Sequence, residues 1–143
     1  MDYRNEYHRL IGSLHKTAGY ITNHFQQKLA PFDLSVQQYV VLRLLSRVHP
    51  DSLTAGELKA KMTDLNPDLT RLTDRLIAKG LILRDVDPQN RRRVMLRLTE
   101  AGHKLVETAA VEFNDFESII SMLTPDEVAT MNTLLDKIRI NIA

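Results

Sequence analysis

Three consecutive arginines, Arg91, Arg92 and Arg93, and a helix-length segment opening at Asn66 hold the side chains best suited to chemistry in this chain. Adjacent arginines at a turn cannot all point into the protein body. At least two must meet solvent or an anion, and a narrow DNA minor groove receives such a group. After Asn66, the residues Asp68, Thr70, Arg71, Thr73, Asp74 and Arg75 fall between apolar positions and make up a polar face. Arg71 can make paired hydrogen bonds to guanine, and Thr70 can meet a thymine methyl or donate to a phosphate. The alternative is an ordinary solvated, charged helix face. On the first reading the DNA contacts are Asn66, Asp68, Thr70, Arg71, Arg75, Arg91, Arg92 and Arg93.

Local signals say which elements must position these side chains. Asn66 is a suitable N-cap and Pro67 suits the first helical position, where its missing N–H costs nothing. Leu69, Leu72, Leu76 and Ile77 then recur every three or four residues as one buried stripe. Gly80 after Lys79 is a left-handed stop, with the cation placed at the negative helix end. Two apolar runs, Leu81–Val86 and Val94–Leu98, flank a polar tip of Asp87, Pro88, Gln89 and Asn90 and predict a β-hairpin. Upstream, Thr54-x-x-Glu57 is a capping box for a short helix ending near Met62, with a four-residue turn from Met62 to Leu65. Two short helices joined this tightly make a helix-turn-helix. Followed at once by an arginine-bearing hairpin, they outline a winged helix.

The flanks are helical too. Tyr3, Tyr7, Leu10, Leu14, Ala18, Ile21 and Phe25 form a heptad-like seam on a helix expected from Tyr3 to Leu29, ended by Pro31 and Asp33. Ser35-x-x-Gln38 is a capping box for a second helix buried through Val40, Val41, Leu44, Leu45 and Val48, and His49-Pro50-Asp51-Ser52 is a turn. Thr99 caps a helix expected from Glu100 to about Leu123, carrying Leu105, Ala109, Phe113, Phe116 and Ile120. Thr124-Pro125-Asp126-Glu127 starts a last helix whose seam is Val128, Met131, Leu135, Ile138 and Ile142. A core built from 143 residues cannot bury both seams as well as the winged helix. The economical solution is a second copy, with Tyr7, Leu14, Leu135 and Ile138 at the homodimer interface; the alternative is an intramolecular bundle. The expected fold is mainly α with a small β-hairpin wing (α+β). It is a single domain over 1–143, with the winged helix-turn-helix at about 35–99 and dimerisation helices at about 1–30 and 100–143.

Composition narrows the function. Charged residues are 26% and apolar residues 43% of the chain, the balance of a globular protein. No apolar run is long enough to span a membrane and the N-terminus lacks a signal peptide's apolar centre, so the expected location is cytoplasmic, without a membrane partner. The absence of cysteine excludes disulfides, thiolate catalysis and a thiol-based oxidant sensor. Phosphate-loop, nucleophile-elbow and His-Glu-x-x-His motifs are missing, so no enzyme, cofactor or metal is expected. Net charge is only +1, but Thr54–Thr99 holds ten cationic and six acidic side chains, leaving −3 for the rest. Positive charge gathered on the winged-helix segment suits a nucleic acid. The competing class is a winged helix used as a protein-interaction module. An acidic reading face would favour it, and here Arg71 and the wing arginines outweigh Asp68 and Asp74.

Four stretches carry a family resemblance: Leu34-Ser35-Val36-Gln37-Gln38-Tyr39-Val40-Val41-Leu42, Leu72-Thr73-Asp74-Arg75-Leu76-Ile77-Ala78-Lys79-Gly80-Leu81-Ile82, Asp87-Pro88-Gln89-Asn90-Arg91-Arg92, and Leu98-Thr99-Glu100-Ala101-Gly102. In order and spacing the chain resembles the MarR family of bacterial transcriptional regulators over nearly its whole length. The resemblance implies a homodimer on a helical base that binds double-stranded DNA at a palindromic operator and represses by covering a promoter. It also implies an effector, a phenolic or other lipophilic small molecule bound where the winged helix meets that base. Lys16, Tyr20 and Tyr39 are the candidate contacts for such a ligand. One departure is Asn90, where the family usually has an Asp that helps hold the wing arginines. That substitution leaves the orientation of Arg91 and Arg92 open.

Overall fold

A computed structural model describes residues 2–63 and 67–143. The chain forms two compact units, Met1–Glu112 and Phe113–Ala143, each described by itself.

In the first unit, helix α1 (Glu6–Leu29) starts later than the apolar seam suggests, because Asn5 is extended and its side chain accepts from the His8 N–H at 2.9 Å. That cap leaves Tyr3 ahead of the helix. At the other end a 3-10 turn, Ala30–Phe32, takes in Pro31, and Asp33 adopts a left-handed conformation. The Gln26 amide fixes the corner that follows: it donates to the Leu34 carbonyl at 2.9 Å and accepts from the Val36 N–H at 3.1 Å. Helix α2 (Val36–Ser46) opens with the full Ser35–Gln38 capping box. It buries Val41, Leu42, Leu44 and Leu45, while Val40 and Val48 are half-buried.

Strand β1 (Leu53–Thr54), helix α3 (Ala55–Lys61) and helix α4 (Leu69–Ala78) come next. Strands β2 (Ile82–Asp87) and β3 (Asn90–Leu98) complete an antiparallel sheet of order β1-β3-β2, in which Leu53 faces Leu96 and Ile82 faces Leu98. Leu42, Leu45, Leu58, Leu76, Ile82, Leu96 and Leu98 are fully buried and form the core that holds α2, α3 and α4 on the sheet. Each such leucine contributes roughly 2 kcal/mol of apolar transfer.

Gly80 has φ of 73° and closes α4 as anticipated: its N–H bonds the Ile77 carbonyl and the Leu81 N–H bonds that of Leu76. Thr99 caps helix α5 (Glu100–Ala110) through the Gly102 N–H at 3.0 Å and donates its own hydroxyl to the Gly80 carbonyl at 2.7 Å. The first turn of α5 therefore sits directly on the joint between α4 and the hairpin. A Cβ on Gly102 would lie 2.0 Å from the Leu81 carbonyl oxygen, so only glycine allows this approach.

Helix α5 stops at Ala110, not near Leu123 as the apolar spacing suggests. Two 3-10 turns, Val111–Phe113 and Phe116–Ile120, replace its second half. Between them lie Asn114 and Asp115, side chains that compete for local backbone groups. In the second unit α6 (Pro125–Ile142) begins with the full Thr124–Glu127 capping box and Pro125 in its first turn. No described residue of α6 is buried, and Met131, Leu134, Ile140 and Ile142 are exposed. Among the described residues, no helix is long and apolar enough to cross a membrane.

Candidate nucleic-acid interface

The candidate contacts sit on α4 and on the β2–β3 hairpin. The expected cap, Asn66, lies outside the described residues, but α4 starts at Leu69 rather than at Pro67. Its N-cap is Asp68, whose carboxylate accepts from the Arg71 N–H at 3.2 Å. Pro67 therefore precedes the cap and is buried. Capping gives Asp68 a structural role, and the carboxylate sits at the helix's positive end, where its charge is favourably placed.

The polar face of α4 is narrower than the sequence pattern implies. Thr70, Arg71, Asp74 and Arg75 are exposed, but Thr73 is only 2% exposed. Positions 69, 72, 73 and 76 share one helical face, so Thr73 turns inward beside the leucines. Its hydroxyl donates to the Leu69 carbonyl at 2.8 Å and accepts from Arg84 Nη2 at 2.9 Å, which satisfies a buried polar atom on both counts. The same Arg84 nitrogen donates to Asp74 Oδ1 at 2.6 Å. Arg84, on β2, thus ties helix to hairpin and neutralises an acid on the reading face. Nothing in the local pattern announces Arg84, because the bond joins a helix to a strand ten residues away.

The wing arginines are in β3, not at the hairpin tip. Val86 pairs with Val94 and Asp87 with Asn90, so Arg91, Arg92 and Arg93 are the extra residues of a bulge opposite a single step of β2. A bulge bends the strand and re-aims its side chains. The tip holds itself by side-chain turns: Asp87 accepts from the Gln89 N–H at 2.9 Å, and Asn90 Oδ1 accepts from the Arg92 N–H at 3.1 Å. An amide oxygen is thus enough at position 90 to fix the Arg92 backbone.

Arg93 differs from its neighbours. Its guanidinium lies between Glu57 Oε1 at 3.8 Å and Asp87 Oδ2 at 3.9 Å. The Glu57 side chain therefore points to the wing. Of the capping box expected at Thr54, the structure shows the Thr54 hydroxyl accepting from the Glu57 N–H at 3.0 Å. Across the hairpin Arg97 on β3 pairs with Asp85 on β2 at 3.2 Å. Arg71, Arg75, Arg91 and Arg92 are exposed, and among the described residues none of the four has an ion-pair partner. A groove of 360 Å³ runs between residues 54–57 and the wing and is lined by Glu57, Asn90, Arg92 and Arg93.

The candidate ligand contacts fall on two helices. Lys16 Nζ lies 5.9 Å from the centre of the Tyr20 ring on α1, and both residues are exposed. Tyr39 is on α2, half-buried, and burial pushes its phenol above the usual range. A groove of 740 Å³, bounded by Gln26, Asp33, Ser35, Gln38, Arg75 and Lys79, holds none of the three. Of the expected interface residues, Tyr7 is exposed, while Leu14, Leu135 and Ile138 are half-buried. Among the described residues no group of three or more His, Asp or Glu is placed to hold a metal ion.

The comparisons with known proteins agree on one family. The sequence profile of the MarR family matches residues 34–94. An uncharacterised HTH-type transcriptional regulator of Bacillus subtilis, YhbI, is 41% identical over a match that spans 59% of this chain and 54% of that protein. The multiple antibiotic resistance protein MarR of Escherichia coli is 31% identical over 91% of this chain and 88% of its own length. A mutant of E. coli MarR solved in complex with operator DNA superposes with a TM-score of 0.81 at 31% identity, covering 96% of this chain and 99% of that one. The MepR–DNA complex of S. aureus gives a TM-score of 0.83 at 27% identity, covering 99% and 100%.

Proposed function

The chain belongs to the MarR family, whose members are transcription regulators and not enzymes, and on that premise we propose that it is a repressor that binds a palindromic operator as a homodimer. One observation carries the reading. Thr70, Arg71 and Arg75 on α4 and Arg91 and Arg92 on the wing are exposed, and the arginines among them are without acidic partners among the described residues. Asp68 and Asp74, the acids on the same helix, are engaged by the cap and by Arg84. A polyanion approaching this face meets uncompensated cations. Two relatives, MarR and MepR, have been solved with DNA. In the proposed complex α4 lies in the major groove, with Thr70 and Arg71 at base edges, and the wing arginines lie at the minor groove or its phosphates.

The apolar faces of α1 and α6 support the homodimer. Tyr7, Leu10 and Ile11 on one, and Met131, Leu134, Ile140 and Ile142 on the other, leave more exposed apolar surface than a lone protomer usually carries. Two copies with recognition helices one DNA turn apart would read half-sites centred about 10 base pairs from each other. Repression then follows from covering a promoter, and the site of action is the cytoplasm. Release by a small lipophilic or phenolic ligand belongs to the same reading, with Lys16, Tyr20 and Tyr39 as its proposed contacts. Such a ligand weakens operator binding tenfold only if it prefers the free form by about 1.4 kcal/mol, and DNA must weaken ligand binding equally.

Selection of bound sequences from a random DNA pool, repeated with Arg71→Ala, tests the proposal. The parent should enrich a palindrome, and the variant should bind about 1–3 kcal/mol more weakly and lose preference at one position per half-site. A protein that enriches no sequence, or whose binding does not weaken with salt, is a protein-interaction module instead.

A further inference from the structure

The turn after α2 carries His49 and α5 carries His103, and their imidazole rings stack with centroids 4.2 Å apart and planes 16° from parallel. His49 Nε2 lies 4.0 Å from Glu100 Oε2, and His103 Nε2 lies 3.1 Å from Glu107 Oε1. Nδ1 of each ring is buried, and among the described residues neither has a hydrogen-bond partner. The DNA-reading face uses none of these groups.

We propose that this stacked pair is a proton-sensing joint: acidification loosens α5 from the turn after α2 and thereby weakens operator binding. The second step rests on the repressor reading above; the first does not.

Imidazole is the side chain that changes charge between about pH 5 and about pH 8. With both rings neutral, His103 Nε2–H already donates to Glu107, so the first added proton goes to a buried Nδ1 and leaves an N–H there without an acceptor. A second proton sets two cations face to face at 4.2 Å. It also puts an N–H on the other buried Nδ1, where no acceptor waits. Opposing this are the two carboxylates, Glu100 at 72% and Glu107 at 66% side-chain exposure, whose attraction water screens. The Nδ1 atoms have no such screening, so repulsion and the unpaired donors prevail at the second protonation. The charged sequence neighbours Arg47, Asp51 and Lys104 are exposed.

A route to DNA follows from the contacts of α5. Its cap, Thr99, donates to the Gly80 carbonyl at the end of α4, and Gly102 rests against the Leu81 carbonyl at the base of the hairpin. Displacing α5 therefore shifts the wing and the end of α4 together.

The test begins on the intact protein in EDTA, so that no metal contributes. Imidazole proton resonances and amide exchange in α2 and α5 are followed from about pH 8 to about pH 5.5. Amide exchange in α2 and α5 should speed as the pH falls through that range. Operator affinity at constant ionic strength should fall about tenfold per pH unit for each proton that binding must expel. His49→Gln and His103→Gln, checked for folding by urea titration at pH 8, should each flatten that slope. Exchange that stays unchanged over that range overturns the joint whether or not the variants fold. A slope that persists in both variants overturns the link to DNA. A protein that binds no operator at any pH overturns the repressor reading and the link with it, while the amide exchange still decides the joint.

Discussion

Replacing Arg84 with methionine should lower operator affinity without unfolding the protein, because Arg84 acts on DNA through Asp74. Its Nη2 donates to Asp74 Oδ1 and to the buried Thr73 hydroxyl. Methionine keeps most of the apolar stem, so packing changes little. Thr73 retains the Leu69 carbonyl as acceptor, so no buried donor is orphaned. The side chains of Arg84 and Asp74 are 35% and 57% exposed, which holds the pair to roughly 1 kcal/mol of stability. The effect on binding is larger. Asp74 without its partner restores a negative charge on the face proposed to meet phosphate, costing about 1 kcal/mol at separations near 7 Å in wet surroundings. A dimer presents two such faces, so the loss is about 2 kcal/mol, or roughly 30-fold, and shrinks as salt rises. Arg84→Met, Asp74→Asn and the double variant should be compared by fluorescence anisotropy on the selected operator, with urea midpoints as the folding control. Asparagine at 74 carries no charge, so the double variant should return to within a few-fold of the parent. A double variant as weak as Arg84→Met alone would refute this reasoning: Arg84 would then touch DNA itself.

Replacing Arg91 and Arg92 together with alanine should weaken binding to all sequences and reduce the salt slope by about 1 for each phosphate left without its arginine, counted twice in a dimer. An unchanged slope would mean that the wing stays clear of DNA. Leu14→Asp or Leu135→Asp should convert dimers into monomers that bind poorly, as read by sedimentation; a parent that already sediments as a monomer removes the basis for this. Gly102→Ala should cost about 3 kcal/mol by urea titration, because its Cβ would meet a backbone carbonyl at 2.0 Å, and backbone gives way less readily than a flexible side chain. A loss under about 0.5 kcal/mol would show that α5 can lift off the hairpin cheaply.

The parts of the fold legible in the sequence were those set by local chemistry. The Ser35–Gln38 and Thr124–Glu127 boxes cap their helices as read, and Gly80 ends α4 as read. Legibility failed where two local signals competed or where a distant strand decided. Tyr3 continues the apolar seam of α1, but the Asn5 cap overrides it. The three- and four-residue spacing from Leu105 to Leu123 does not fix the hydrogen-bonding pattern, and 3-10 turns serve from Val111 onward. Strand β1 is two residues long and exists because β3 offers Leu96 and Met95 as partners, so its own sequence carries no signal for it.

The candidate site was legible as a list of residues but not as a distribution of charge. From sequence, Asp68 and Asp74 stand against DNA and all three wing arginines stand for it. In the structure each acid has work within the protein. Asp68 caps α4, Asp74 holds Arg84, and Glu57 and Asp87 flank Arg93. A paired charge projects little field into solvent, whereas a lone guanidinium projects its full charge. Among the described residues of α4 and the wing, the arginines left without an acidic partner are Arg71, Arg75, Arg91 and Arg92, which fall on two elements. The small net charge of the whole chain, +1, conceals this, because it counts neutralised pairs and free cations alike. Since Arg84 lies on β2, the acid on α4 is neutralised from the hairpin and not from its own helix, which is why α4 read alone looks less favourable to an anion than it is.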